Sequence, residues 1–106
     1  MFRLPDEIKA NPEIDVSVEG IRGWKVGGPS GLVVFFEIQP GTSLPEHAHC
    51  FQWGCVLEGE IDLTIGSETR TYRTGDTYII PEGVTHSGRI PDGCTAMDYF
   101  SDPERY

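Results

Sequence analysis

The chain has 106 residues, 38% hydrophobic and 10% aromatic, which is room for one folded domain with a modest core and too little for two. Its net charge of -9 excludes a nucleic-acid binder, which needs a basic face, and argues against an anionic membrane surface; acidity of this size serves solubility. No apolar run approaches a membrane span and the first residues carry no signal-peptide core, while three cysteines (Cys50, Cys55, Cys94) without framework spacing are the usage of a reducing cytoplasm.

Thirteen glycines and eight prolines favour short elements joined by tight turns. Residues 1–13 read as an N-terminal arm, in which 4–10 make one short helical turn from Pro5 or Asp6 that Asn11-Pro12 ends. From residue 14 the pattern turns to strands. Ile14, Val16 and Val18 alternate with polar residues, and 21–26 follow after Gly20. The Gly-Gly-Pro-Ser-Gly run at 27–31 reads as a loop, 32–38 as a buried strand and Pro40-Gly41 as a turn.

The next segment holds His47 and His49. On an extended backbone, side chains at i and i+2 leave the same face, so both rings point into whatever cavity that face lines, and Cys50 points away. Residues 53–58 form a strand with a turn at Gly59, and Ile61, Leu63 and Ile65 alternate up to Gly66-Ser67. The chain returns over 68–73, turns at Thr74-Gly75-Asp76, and runs through 77–80 into Pro81-Glu82-Gly83. That turn presents 84–90 with the third histidine, His86; Pro91-Asp92-Gly93 then leads to a last strand at 94–100 and a tail at 101–106. Many short strands with regular turns make an antiparallel sandwich or barrel over 14–100.

Two of these stretches resemble the sequence motifs of the cupins. The first motif runs Gly, five residues, His-x-His, three or four residues, Glu, six residues, Gly. Gly41, His47 and His49 fit its first half and, counting back from Gly59, Gln52 takes the place of the Glu. The second runs Gly, five residues, Pro-x-Gly, two residues, His, three residues, Asn; Gly75, Pro81, Gly83 and His86 fit, with Ile90 in place of the Asn. The resemblance covers residues 41–90. It implies an all-β double-stranded β-helix, or jelly-roll barrel, with one divalent ion inside it on His47, His49, Gln52 and His86. It also implies a homodimer. A lone His-x-His says little, but here all three histidines of the chain fall on motif positions.

Two departures from the motif carry information. The gap between His49 and Gln52 is shorter than the family's, and its odd length puts the two side chains on opposite faces unless the chain bulges or turns tightly. Gln is neutral where Glu is charged. Three imidazoles and one amide leave the ion its full charge and favour a transition metal (nickel, zinc, iron, copper or manganese) over magnesium or calcium. Four protein ligands on an octahedral ion leave two positions open, as in a reactive site.

In the last strand, Asp98 and Phe100 share a face among apolar neighbours; a carboxylate there is either paired and structural or a tuned acid or base. The stretch from Asp98 to Arg105 is similar to the ending of small cupins of pectin and alginate breakdown, which convert unsaturated uronates to linear keto sugars. Those proteins also carry Gln for Glu in a Gln-x-Gly-x-Val-Leu segment. This resemblance implies a substrate pocket containing Asp98, Phe100 and Arg105, with Arg105 one residue further on because Asp102 is extra.

The expected function is a metal-dependent enzyme of the isomerase or lyase type on a small polar, sugar-acid-like substrate. The ion would polarise a carbonyl or hydroxyl and Asp98 would move a proton. The same ligands suit an oxygen-using dioxygenase with iron or copper, or a non-catalytic metal or small-molecule-binding module; fold alone does not choose. Arg70, Arg73, Arg89 and Arg105 are the cations available to an acidic substrate. Among lesser candidates, Trp24, Trp53 and Tyr78 read as core or interface aromatics. Tyr78 belongs near the barrel mouth, and Trp53 faces away from the cavity onto a partner subunit. Gly54 leaves room for a ligand, and Glu46 and Glu82 are solvated turn residues.

Overall fold

Apolar residues at every second position, bracketed by turn signals, set most of the strands. The computed structural model describes residues 3–106; the first two positions of the N-terminal arm lie outside the described residues. One helical turn, α1 (Asp6–Lys9), precedes eight strands: β1 (Ile21–Gly28), β2 (Gly31–Ile38), β3 (Thr42–His47), β4 (Gln52–Ile65), β5 (Glu68–Arg73), β6 (Thr77–Ile80), β7 (His86–Ile90) and β8 (Cys94–Phe100). Among the described residues no helix is long and apolar enough to cross a membrane.

All pairings are antiparallel and fall into two sheets. One runs β1, β2, β8, the first part of β4, then β6. The other runs β3, β7, the second part of β4, then β5. Together they make the all-β jelly-roll barrel that the sequence motifs implied.

The 14-residue β4 belongs to both sheets. The turn expected at Gly59 is therefore absent. Gly59 adopts φ 93°, the pairing with β8 slips between Val56 and Glu58, and the strand bends from one sheet into the other. A glycine with positive φ serves a bulge as well as a reversal, which is why the sequence reads alike for both.

Residues 14–18 are not a strand either. Only a bridge between Glu13 and Trp24 forms, with Ile14 N–H donating to Gly23 O at 2.9 Å. Alternation there reports which side is covered: Ile14 is buried, Val16 and Val18 are half-buried, and Val16 and Val18 line the cavity described below. The loop expected at 27–31 shrinks to Pro29-Ser30, because β1 and β2 pair to their ends at Gly28 and Gly31.

Leu32, Val34, Phe36 and Ile38 of β2 point inward and are buried, joined from the facing strands by Val56, Ile61, Leu63, Ile80, Ile90 and Phe100. Each such aliphatic side chain contributes roughly 1.5–3 kcal/mol by leaving water. This shared core holds the two sheets in the relation that positions the site.

Candidate metal centre

His47 ends β3 and His86 begins β7, and the two are paired in register. Opposite residues in an antiparallel pair have Cβ atoms about 4.5–5.5 Å apart, and the ring centroids lie at 4.1 Å. His49 follows the end of β3, past a register shift between Leu44 and His47. The two histidines of the His-x-His are thus not two positions of one straight strand, yet the rings converge. His49 lies 5.2 Å from His47 and 4.7 Å from His86 by centroid. One ring nitrogen from each falls within 4.8 Å of the others. The break at residues 48–51, between β3 and β4, resolves the parity problem that the short gap before Gln52 posed.

The main chain sets the chemistry of all three rings. His47 Nδ1 donates to Pro45 O at 2.8 Å, His49 Nδ1 to Cys50 O at 2.8 Å, and His86 Nδ1 to Val84 O at 3.0 Å. A carbonyl oxygen only accepts, so each Nδ1 carries a proton, and in the neutral ring Nε2 is the nitrogen that keeps a lone pair. Burial pushes His49 down to about 4 and lowers His86 as well, so these rings are neutral at neutral pH. A transition ion takes imidazoles through the nitrogen that the main chain leaves free, here Nε2. Cys50 packs against the core and does not line the cavity.

The same cavity, about 430 Å³, is lined by the three histidines together with Gln52, Tyr78, Asp98, Phe100 and Arg105. Asp98 is 2% exposed. Its Oδ1 accepts from Gln52 Nε2 at 2.8 Å and from the Tyr78 hydroxyl at 2.7 Å. Burial pushes the carboxyl up to about 6, against the opposing pull of those two bonds. The Tyr78 phenol is raised well above its ordinary range by its own burial and then by the neighbouring carboxylate. Phe100 is fully buried and meets the His49 ring edge-on at 5.5 Å.

Tyr78 is a core aromatic, 6% exposed, because Tyr78 and Ile80 share the inward parity of β6. One expectation needs correction. Gly54 does not leave room for a ligand: the space beside it is filled by the Tyr78 ring and the Asp98 carboxylate.

Of the four arginines considered, Arg105 alone among the described residues lines the cavity. Arg70 pairs with Glu68 at 3.7 Å and Arg73 with Glu60 at 3.2 Å on the outside, and Arg89 is exposed. The Arg105 guanidinium lies 5.8 Å from the Phe100 ring and 4.4 Å from the Tyr106 ring, and its Nε is buried with no hydrogen-bond partner. Tyr106 was not legible as a cavity residue. It lines the cavity and stacks edge-on against Phe36 and Phe100, contacts that no periodicity in the tail announces. Glu46 and Glu82 are exposed. Trp24 is buried and Trp53 half-buried, outside the cavity.

Comparison with known proteins bears on the same residues. A family model described as the cupin domain matches residues 34–97. Among solved structures, an RmlC-like cupin from Shewanella frigidimarina is 25% identical, with 92% of this chain and 87% of that one covered and a TM-score of 0.80. KdgF from a Halomonas species is 21% identical over 91% of both chains, with a TM-score of 0.76. Oxalate decarboxylase from Bacillus subtilis is 19% identical with a TM-score of 0.80, covering 93% of this chain and 29% of that one. At these identities the last two speak for the fold alone. No curated protein matches in sequence. The family match takes in all three histidines and Gln52 and stops one residue short of Asp98. Since it spans more than half of the residues and the barrel agrees with it, the chain belongs to the cupin domain family.

Proposed function

We propose that this cupin is a metal-dependent enzyme acting on a small, polar, acid-bearing substrate, with His47, His49, His86 and Gln52 holding one divalent transition ion. The observation that carries the reading is the convergence of three imidazoles whose Nδ1 protons are all spent on backbone carbonyls. The donors fit nickel, zinc, iron, copper or manganese, and imidazole-poor ions such as calcium fit badly. When bound, such an ion supplies Lewis-acid polarisation of a carbonyl or hydroxyl oxygen.

The chain's own residues do the remaining work. Arg105, whose Nε has no hydrogen-bond partner among the described residues, offers its guanidinium to a carboxylate, a charge-assisted pair worth more than a neutral hydrogen bond. Phe100 walls the cavity beside it. Asp98 uses only Oδ1 for its two hydrogen bonds, which leaves Oδ2 to take or give a proton at the substrate. The ending shared with the uronate-linearising cupins supports a sugar acid and an isomerase- or lyase-type reaction.

Elemental analysis of the purified protein, followed by a screen of unsaturated uronates and simple sugar acids, tests this. The expected result is about one transition ion per chain and turnover of an acidic sugar without oxygen uptake. Oxygen consumption with iron or copper would replace the reading by a dioxygenase. Bound metal with no turnover of any acid would replace it by a binding module.

A second copy of the chain would cover the outer face of the first sheet. Val26, Val33, Tyr99, Trp53 and Ile79 form one row across all five strands. Phe35, Met97, Cys55 and Thr77 form the next, whose β1 member, Trp24, is already covered by Lys9 and Arg22. None of these ten positions is charged, although 24% of the chain is, and Ile79 is 58% exposed. Five strands about 4.8 Å apart and two rows about 7 Å apart make a patch of roughly 300 Å², the apolar centre of an interface whose rim reaches about 800 Å² per partner. Sedimentation analysis should find a dimer that Ile79→Glu dissociates; a monomeric wild type would refute it.

A further inference from the structure

Gly54 sits at the middle of a row across the first sheet, in register with Tyr78 on β6 and with Asp98 on β8. Those two residues are on opposite sides of β4, two strand spacings or about 10 Å apart at the backbone. Yet the Tyr78 hydroxyl reaches Asp98 Oδ1 at 2.7 Å. It does so by laying its ring across Gly54, where a Cβ would overlap Tyr78 Cε1, Tyr78 Cζ and Asp98 Oδ1. Gly54 is not among the glycines with positive φ, so its backbone suits any residue. The glycine is there for space.

The carboxylate held in this way also receives Gln52 Nε2, at 2.8 Å on the same Oδ1. A carboxamide has two orientations related by a flip, one presenting oxygen and the other NH₂ to a given neighbour. Asp98 accepts and cannot donate when ionised, so it takes the NH₂ end and turns the oxygen end elsewhere. Gln52 lines the cavity that contains the three histidines, and a cation there is served by the oxygen and repelled by the NH₂. A Glu at this place would set two carboxylates against each other, and one of them would have to take up a proton to serve as donor.

We infer that Gly54 and Tyr78 are positioning residues that hold Asp98, and that Asp98 fixes the Gln52 carboxamide with its oxygen presented to the metal site. On this account the carboxylate at 98 is the reason that residue 52 is Gln rather than Glu. The inference deepens the metal-site reading above and rests on it, but the pairing of residues 52 and 98 can be tested without any metal.

The experiment has two arms on the full chain. In the first, cobalt(II) affinity is measured by chelator competition together with the visible absorption of the bound ion. Gly54→Ala should bind about 10- to 100-fold more weakly with an altered spectrum, the usual effect of losing the partner that orients a ligand. Tyr78→Phe, which keeps the ring, should move both in the same direction and serves if Gly54→Ala does not fold. In the second, thermal midpoints of the metal-free protein are compared. Gln52→Glu should lower the midpoint, and Asp98→Asn added to it should restore most of the loss, because the introduced carboxamide can donate to the introduced carboxylate.

Unchanged cobalt affinity and spectrum in folded Gly54→Ala or Tyr78→Phe would overturn the positioning role. An equal loss in Gln52→Glu with Asp or Asn at 98 would overturn the explanation for Gln52. A wild type that binds no cobalt would instead remove the metal-site reading, and with it the metal half of the inference, while the second arm still decides whether residues 52 and 98 are a matched pair.

Discussion

The two ends of the cavity are held by different means. At the histidine end every ring is fixed by a carbonyl within two residues of it in the chain: Pro45 for His47, Cys50 for His49, Val84 for His86. At the carboxylate end Asp98 is fixed by Gln52 and Tyr78, separated from it by 46 and 20 residues and supplied by two other strands. Local backbone holds the first end and cross-strand packing holds the second. The histidine end should therefore tolerate repacking of the barrel, and the carboxylate end should not.

The largest contrast comes from removing one member of each end. His86→Ala should cost more than the 10- to 100-fold in metal affinity that loss of a ligand's hydrogen-bond partner costs, with turnover lost and the barrel folded. Competition titration and circular dichroism read the two effects. Asp98→Ala should also lose turnover and weaken metal binding, but it should differ in stability. It leaves the Tyr78 hydroxyl and the Gln52 amide buried without an acceptor, at about 1–3 kcal/mol each, so chemical denaturation should register a loss of several kcal/mol. Similar stability losses in the two variants would erase the distinction.

A smaller effect separates the ends by the sign of their pH dependence in the metal-free protein. The Asp98 carboxyl is raised from 3.8 to about 6 by burial, so the folded state prefers it protonated. Its contribution is fully present below about 3.8 and lost as pH rises through about 6, to a ceiling of about 3 kcal/mol. His49 is lowered from 6.5 to about 4, so its cost to the fold is absent above 6.5 and grows as pH falls through about 4. Between pH 4 and 6 the two opposite slopes mask each other in the wild type. Asp98→Asn, which retains an oxygen for both hydrogen bonds, should expose the histidine slope as a steeper loss on acidification. His49→Gln should expose the opposite one. Parallel stability curves for the two variants would contradict the assignment.

The same division explains how far the sequence could be read. The resemblance to two short motifs located His47, His49 and His86, because turns and main-chain bonds near each residue position them. The alternation of Ile61, Leu63 and Ile65 gave the second part of β4 without ambiguity. Gly59 was misread because a positive-φ glycine is the same letter whether the chain reverses or slips by one. Residues 14–18 were misread because alternation records the covered side and not the hydrogen-bonded partner. Gly54 was misread, and the bond from Tyr78 to Asp98 missed, for a deeper reason. Their roles depend on the register that puts Tyr78, Gly54 and Asp98 in one row, and no property of a single strand encodes which residue of another strand lies opposite. Asp98 stood out as a carboxylate among apolar neighbours, Phe100 and Arg105 were picked out through a similarity in the chain's ending, and Tyr106 beside them was not.

The smallest effect tests whether the tail belongs to the site or only packs against it. The Arg105 guanidinium covers Phe100 and Tyr106, so replacing it removes both a charge and some packing. Arg105→Met keeps much of the aliphatic stem over the rings, whereas Arg89→Gln removes an equal charge from the exposed surface of β7. If Arg105 meets the substrate's carboxylate, Arg105→Met should raise KM for an acidic substrate at least about tenfold, since a hydrogen bond to a charged group is worth about 1.5–3 kcal/mol and about 1.4 kcal/mol is a factor of ten. Arg89→Gln should leave KM alone. Added salt separates contact from field. A direct, desolvated pair loses little between about 50 and 300 mM salt, whereas the long-range influence of the protein's charges, net repulsive to an acid at -9, is screened over about 10 Å. A KM that changes equally in the two variants and collapses onto one value in high salt would assign Arg105 to the general field of the protein, and the tail would then be a strap on the barrel with no part in recognition.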